Sequence, residues 1–341
     1  MKLLSKRPAQ ELVTPPDPPA PRRPRRRRRA LLIIASILVL LLLAGGGYLL
    51  FRPRVQPLAL PALPASLNNA DLGLDAWRAY QQPLPANPLA NAQLPGTPQV
   101  NPTLALLEDA AGQALIRQGE LEKGLSYLQA ASQSDQLNLR YSNDYRLALR
   151  DHRRFTEELT YFTRVANQDK SVNALITQAL AYVDQMRSCP LPPDGLVCQA
   201  QDSWNSINIL NQVLTTHPYN VIARFARGLN HLYWPSLMGH LPQAQTDLQY
   251  SVALTRPLSA ITQGFTADAY IALGDVFAKD GKADQARNVW LNGLQLVPAS
   301  TLLQARLNIA QDQLVNQENG PLRGLGVYVD TDIAIFWKTG R

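Results

Sequence analysis

The chain has 341 residues, with 33 Lys/Arg against 26 Asp/Glu and a formal charge of +7. The excess is local: residues 1–54 hold 12 basic residues and two acids, Glu11 and Asp17, while the remainder, with 21 basic and 24 acidic residues, is −3. A mildly acidic body argues against nucleic-acid binding, which needs a basic face on the folded domain.

Residues 1–29 are rich in proline and arginine and are expected to be a disordered tail. Arg22, Arg23 and Arg25 to Arg29 run straight into residues 30–51, which carry no charge. At ~1.5 Å per residue this stretch reaches ~33 Å as a helix, enough for one transmembrane span through lipid. Arginines beside a span stay cytoplasmic, so the bulk of the chain is expected outside the cytoplasm, single-pass in a bacterial inner membrane and facing the periplasm. The preference for Arg (26) over Lys (7) suggests a GC-rich bacterial source. A cleaved signal peptide would have a shorter apolar core and a lighter leader. No Cys near the end of the span marks a lipoprotein, and the apolar pair that usually follows a twin-arginine signal is missing. Gly45, Gly46 and Gly47 would allow close helix approach, but lack the four-residue spacing that favours it.

Residues 52–102 form a proline-rich region, with ten prolines between 53 and 102, and read as a stiff extended spacer holding the next domain off the bilayer. One island, residues 69–82 with Leu72, Leu74, Trp77 and Tyr80, has the pattern of a short amphipathic helix that docks on its own domain or on a partner.

From about 103 to 315 apolar residues recur at three and four, the mark of amphipathic helices. The helices come in pairs. Tyr270-x2-Leu273-Gly274-x2-Phe277 is followed by Ala286-x3-Trp290-x2-Gly293-x4-Pro298. Small Gly274 and Ala286 are expected to face each other where two helices cross, with Asp280-Gly281 ending the first helix and Pro298 the second. This pattern resembles the tetratricopeptide repeat (TPR), a helix–turn–helix unit of ~34 residues. Weaker copies lie upstream. Gly228, Ala244, Leu248 and Ser251 belong to one with about four extra residues around Trp234. Leu175, Ala179, Tyr182, Ser206, Leu210, Val213 and Pro218 belong to one with about fifteen extra. Phe155 and Phe162 mark another, and Gly112, Leu115, Gly119, Gly124, Leu128 and Ala131 the first. The expected architecture is an all-α solenoid of about five degenerate pairs, with residues 301–314 as a last capping helix. An irregular helical domain is the alternative.

Residues 316–341 form a tail. Leu325, Val327 and Val329, then Ile333, Ile335 and Trp337, alternate as two short strands, a possible hairpin that packs on its own domain or joins a partner's sheet. Cys189 and Cys198 bracket part of the fifteen-residue insertion and read as a disulfide in an oxidising compartment. A Cys-x-x-Cys redox pair or a zinc site does not fit the spacing.

No catalytic motif is present: no G-x-S-x-G, H-E-x-x-H, phosphate-binding loop or dinucleotide fingerprint. His152, His217, His231 and His240 lack ligand spacing and read as surface or capping residues, although His231 and His240 flank the Trp234 loop, a placement that would allow them to meet in space. Glu157 and Glu158 read as a solvated helix face. No cofactor, metal or enzymatic activity is expected; a scattered site around His231 and His240 is the remote alternative.

The resemblance implies a curved surface, lined by first helices, that takes up protein partners. Projected onto this sequence, that concave side carries Arg117, Asn143, Arg150, Asp184, Phe225, Tyr233, Asp275 and Lys279. The reading is a membrane-anchored scaffold for an envelope complex, with the bilayer bound through residues 30–51. Alternatives are a chaperone-like factor for secretion or cytochrome maturation and a regulator of a cell-wall synthase.

Overall fold

The computed structural model describes residues 34, 36–39, 55–73, 77–136, 138–190, 193–256, 263–316 and 329–338. The chain divides into a unit ending at Arg54 and a unit starting at Val55. In the first, residues 34 and 36–39 are helical and exposed. The rest of the expected span 30–51, the tail 1–29, and Leu325 and Val327 of the expected hairpin lie outside the described residues. Among the described residues no helix is long and apolar enough to cross a membrane.

The second unit is all-α; the described residues contain no strand. Its main helices stand in five successive pairs: α1 (Ala105–Arg117) with α2 (Leu121–Ser134), α3 (Leu139–Asp151) with α4 (Phe155–Asp169), α5 (Val172–Gln185) with α6 (Leu196–Thr216), α7 (Val221–Tyr233) with α8 (Leu241–Thr255), and α9 (Gln263–Lys279) with α10 (Ala283–Leu296). Several first helices start at a side chain that satisfies an orphan backbone donor: Ser171 accepts from Ala174 N, and Asn220 accepts from Ala223 N. In the turns inside the first and fifth pairs, Gly119 and Gly281 adopt φ of 88° and 74°. Only glycine enters that left-handed region without strain.

Four of the five crossings put a small residue of the first helix beneath a large side chain of the second. A Cβ on Gly112 would stand 2.7 Å from Leu128 Cγ, and one on Gly228 would stand 2.8 Å from Leu248 Cγ. Ala179 and Leu210, both buried, hold the same places in the third pair. At the fifth crossing the group over Gly274 is the Trp290 indole, its Nε1 2.0 Å from where a Cβ would be, rather than Ala286. Ala286, expected opposite Gly274, is buried in the same seam.

The second pair departs from this pattern. Arg146 lies 34 residues after Gly112, and Phe162 lies 34 after Leu128, so the register places an arginine where the other crossings have Gly or Ala. Arg146 is fully buried, and so is Glu158, which faces it from α4 at 4.0 Å. The turn of this pair also differs, with Arg153 at φ 59° where the first pair has Gly119.

The insertion between α5 and α6 is partly helical. A short 3₁₀ turn, Met186–Ser188, leads to Cys189, and Cys198 already lies in the first turn of the 21-residue α6. Cys189 and Cys198 are joined by a disulfide, their Cα atoms 5.8 Å apart. A Cys189→Ser variant is expected to keep its helical circular-dichroism signal while losing less than the ~2–4 kcal/mol typical of a bridge, because the closed loop is short. Loss of cooperative unfolding in that variant would contradict this.

The last expected helix is two. Arg287 of α10 donates to the carbonyls of Leu307 and Ile309, taking them out of the helical ladder. The chain therefore breaks between α11 (Thr301–Leu307) and α12 (Gln311–Asn316), which bury Leu303 and Leu314.

The described part of the proline-rich region is not a free spacer. The Gln56 backbone pairs with the Asn288 amide, N to Oδ1 at 2.8 Å and Nδ2 to O at 3.1 Å, and Asn292 adds a third bond to Gln56 O. Leu58, Leu60, Leu63 and Leu67 then pack on the main core. Lacking amide donors, the prolines leave this stretch without a helix of its own, so it lies extended along helices that are already formed. The 69–82 island docks on its own domain. Asn68 and Asp71 form a capping box, Leu72 and Tyr80 are buried, and Arg140 donates to the carbonyls of Tyr80 and Gln82.

Candidate functional site

The first helices of pairs two to five share a surface covered by residues 329–338 of the same chain. This segment is not the strand expected from its alternation. Val329–Asp332 has no regular secondary structure, with Asp332 in an extended conformation, and Ile333–Phe336 is a 3₁₀ turn capped by Asp332, whose side chain accepts from Ala334 N at 2.8 Å. Five consecutive residues, Ile333 to Trp337, are buried. A strand with one wet face would bury alternate residues; here no such alternation remains from Ile333 to Trp337.

Three side chains hold the segment's backbone at every second residue. Arg187 donates to Val329 O at 2.9 Å, Arg146 donates to Thr331 O, and Ile333 N donates to Asn143 Oδ1 at 3.4 Å. The Thr331 side chain is read separately. Its hydroxyl donates to Asp184 Oδ1 at 2.7 Å and accepts from Arg146 at 2.9 Å and Arg150 at 3.0 Å. Charges flank it: Arg150 lies 3.7 Å from Asp330, the Asn143 amide donates to Asp332, and Lys338 lies 3.9 Å from Asp144. The apolar end follows, with Phe336 against Phe265 and Phe225 at ring-centroid distances of 4.2 and 5.9 Å, and Trp337 against Tyr80 at 5.1 Å.

Behind Thr331 lies a buried ionic cluster. Arg146 also donates to Asp184 and to Asn143 Oδ1. Glu158 is pushed up to about 10, first by burial and then by the Asp184 charge, with Arg146 pulling the other way. Its environment therefore favours the protonated form over the ionised one. It is not the solvated helix face that the sequence suggests, because the α4 register turns Glu157 outward and Glu158 into the crossing. Burial likewise raises Asp109 and Asp144; the Asp144 charge adds to the rise at Asp109, while Lys338 and Arg140 oppose it at both. For such groups the folded state favours the protonated form. Their contribution is full below the unfolded carboxylate range and is lost as pH rises through the folded value. Stability measured by urea midpoint should therefore fall from pH 7 toward pH 10, and Glu158→Gln should flatten that fall. An unchanged slope in Glu158→Gln would contradict the buried, protonated assignment.

Of the eight residues projected onto this surface, Asn143, Arg150, Asp184 and Phe225 touch the segment. The others do not. Arg117 is exposed at the end of α1. Asp275 is buried and paired with Arg306 at 2.8 Å. Tyr233 is half-buried against the core. Lys279 donates to the carbonyls of Leu232 and Trp234, both at 2.8 Å. It closes the C-terminal end of α7, where a cation is favoured.

Sequence reasoning passed over Arg146, Arg187 and Phe265. Arg146 had a visible signal, since Asn143, Arg146 and Arg150 follow one helical face at three and four. Arg187 had none, because it sits in the insertion outside the repeat.

Two other clusters lie apart from this surface. His231 Nδ1 and His240 Nδ1 are 2.7 Å apart, so one ring donates and the other accepts, while Trp234 stacks on His240 at 4.1 Å. Burial, with the His240 charge second, lowers His231 to about 4, and burial also lowers His240. Cys189, Cys198 and Asp202 lie within ligand reach of one another, but both sulfurs are committed to the disulfide.

No protein-family model and no curated protein matches this chain. Among solved structures it is similar to a thermophilic TPR protein of Thermus thermophilus, at 15% identity and a TM-score of 0.45, covering 60% of this chain and 96% of that one. It is also similar to the MamA protein, at 14% identity and a TM-score of 0.37, with coverage of 60% and 96%. The TPR-like description rests on the paired helices and on the small-under-large crossings they repeat.

Proposed function

We propose that this chain is a protein-interaction scaffold, anchored in a bacterial inner membrane through residues 30–51 and holding its helix-pair domain outside the cytoplasm. The observation that carries the binding reading is the groove itself. It grips an extended segment through backbone atoms at every second residue and receives aromatic side chains at one end, which is how a surface recognises a peptide. The uncharged span with its arginine block supports the anchor and its direction. The disulfide is in keeping with an oxidising compartment. The job it serves is assembly of an envelope complex, with a chaperone-like role beside a secretion or cytochrome-maturation machine as the second reading. No catalytic role is proposed.

A photo-crosslinking residue placed at Arg117 and at Arg150 in intact membranes should capture one envelope protein in common, identified by mass spectrometry. Protease added to spheroplasts should digest the domain and spare the first 29 residues. A protected domain would overturn the orientation, and empty crosslinks at both positions would overturn the scaffold.

A further inference from the structure

We propose that the groove is specific for an unmodified Thr or Ser hydroxyl followed by an acidic residue and, five positions after the hydroxyl, an aromatic ring, and that residues 329–338 occupy it in cis until a partner segment of that pattern displaces them. The proposal rests on the scaffold reading above and gives its partner a chemistry.

The hydroxyl is the most closely read group of the segment. Thr331 is buried, and its oxygen meets one acceptor, Asp184, and two donors, Arg146 and Arg150. That set fits a hydroxyl, which donates once and accepts twice. Valine would leave Asp184 and the arginines facing a methyl group, and a site built for a hydroxyl rejects the analogue lacking it. A phosphate would satisfy the arginines but bring a second anion against Asp184, with no proton to offer it. The acidic step is Asp332, held by Asn143, and the aromatic step is Phe336 between Phe225 and Phe265.

The occupant is also replaceable in chemical terms. Its backbone is held at residues 329, 331 and 333, contacts that any extended segment can make. The groove floor is built of charges that stay useful only when a polar occupant meets them. A segment of the same chain competes without loss of translational freedom, so a partner displaces it only by binding more tightly than an intramolecular competitor.

The test uses the full chain and a fluorescein-labelled peptide with the sequence of residues 329–338, followed by anisotropy. Two variants weaken the cis segment: Thr331→Val, which removes the hydroxyl, and Lys338→Glu, which turns the contact with Asp144 repulsive and leaves the solenoid helices untouched. Both are expected to bind the peptide at least tenfold more tightly than the parent chain. Adding peptide should raise amide exchange across residues 329–338. A peptide with Val or phosphothreonine in place of Thr should bind at least tenfold more weakly to either variant. Equal binding by parent and variants would overturn the cis occupancy. Equal or tighter binding of the Val or phosphothreonine peptide would overturn the hydroxyl specificity. If Thr331→Val fails to fold, Lys338→Glu carries both comparisons. The assay contains no partner, so a negative result removes the segment specificity while the membrane crosslinks judge the scaffold independently.

Discussion

Arg146→Ala is expected to cost about 3–5 kcal/mol, the range for removing one member of a buried ionic group. The side chain is fully enclosed and donates to Asp184, Asn143 and both oxygens of Thr331. Without it, Asp184 remains as a buried anion whose remaining cation contacts are Arg187 at 3.6 Å and the charge of Arg150. The vacated volume adds a cavity cost. Urea denaturation checks the size. A loss below about 1 kcal/mol would mean that water or a rearranged Arg150 replaces Arg146 at little cost. Arg146→Gly with Glu158→Ala puts small residues in the register that Gly112 and Gly124 hold at the first crossing, where each would set a Cβ 2.8 Å from the other's carbonyl, and should recover part of the loss, a coupling that a double-mutant cycle isolates. The double variant should still hold residues 329–338 weakly, because the Thr331 contacts do not return.

The same residue shows what the sequence made legible. Helical periodicity and the Tyr270–Pro298 pattern were enough to place the paired helices, because a repeat writes its packing into fixed spacings. That logic searches for small and aromatic residues in fixed places. Phe162 fits those places, and Arg146 stands where the pattern is broken. The break is where the binding surface has its polar floor, since a crossing that must receive a polar segment cannot be filled by Gly and Ala alone. The tail was misread for a related reason. Period-two alternation in residues 325–337 signals a strand only if one face stays wet, and the burial of every residue from Ile333 to Trp337 removes that premise. Docking of Lys279 on the carbonyls of Leu232 and Trp234 was invisible, because Trp234, where α7 ends, opens an insertion without a counterpart in the first, second or fifth pair.

Gly274→Leu should be the most damaging substitution in the apolar seam. Even a single added carbon would stand 2.0 Å from Trp290 Nε1 and 2.4 Å from Cδ1. The indole has no free space to retreat into: Trp290 is completely buried, and its Nε1 donates to Ile271 O at 3.3 Å. Overpacking of this kind costs about 1–3 kcal/mol and sometimes more. Gly274→Ala should already be measurable, with Leu worse. Thermal unfolding of the two variants beside the parent tests the order. A wild-type melting temperature for Gly274→Leu would mean that α9 and α10 do not cross at that residue.

Stacked repeats ordinarily behave as a one-dimensional chain, each unit leaning on its neighbours and able to fray from either end. Here the two ends of the domain are tied crosswise. The segment at Gln56, before the first pair, is bonded to α10 in the last, and the segment at Thr331 and Asp332, after the last pair, is bonded to α3 in the second. Those links span 232 and 189 positions of sequence, so neither end can peel without loosening the other. A linear array becomes a closed circuit. Its melting should be a single sharp event, reached slowly in folding because the ring closes only after the last residues arrive.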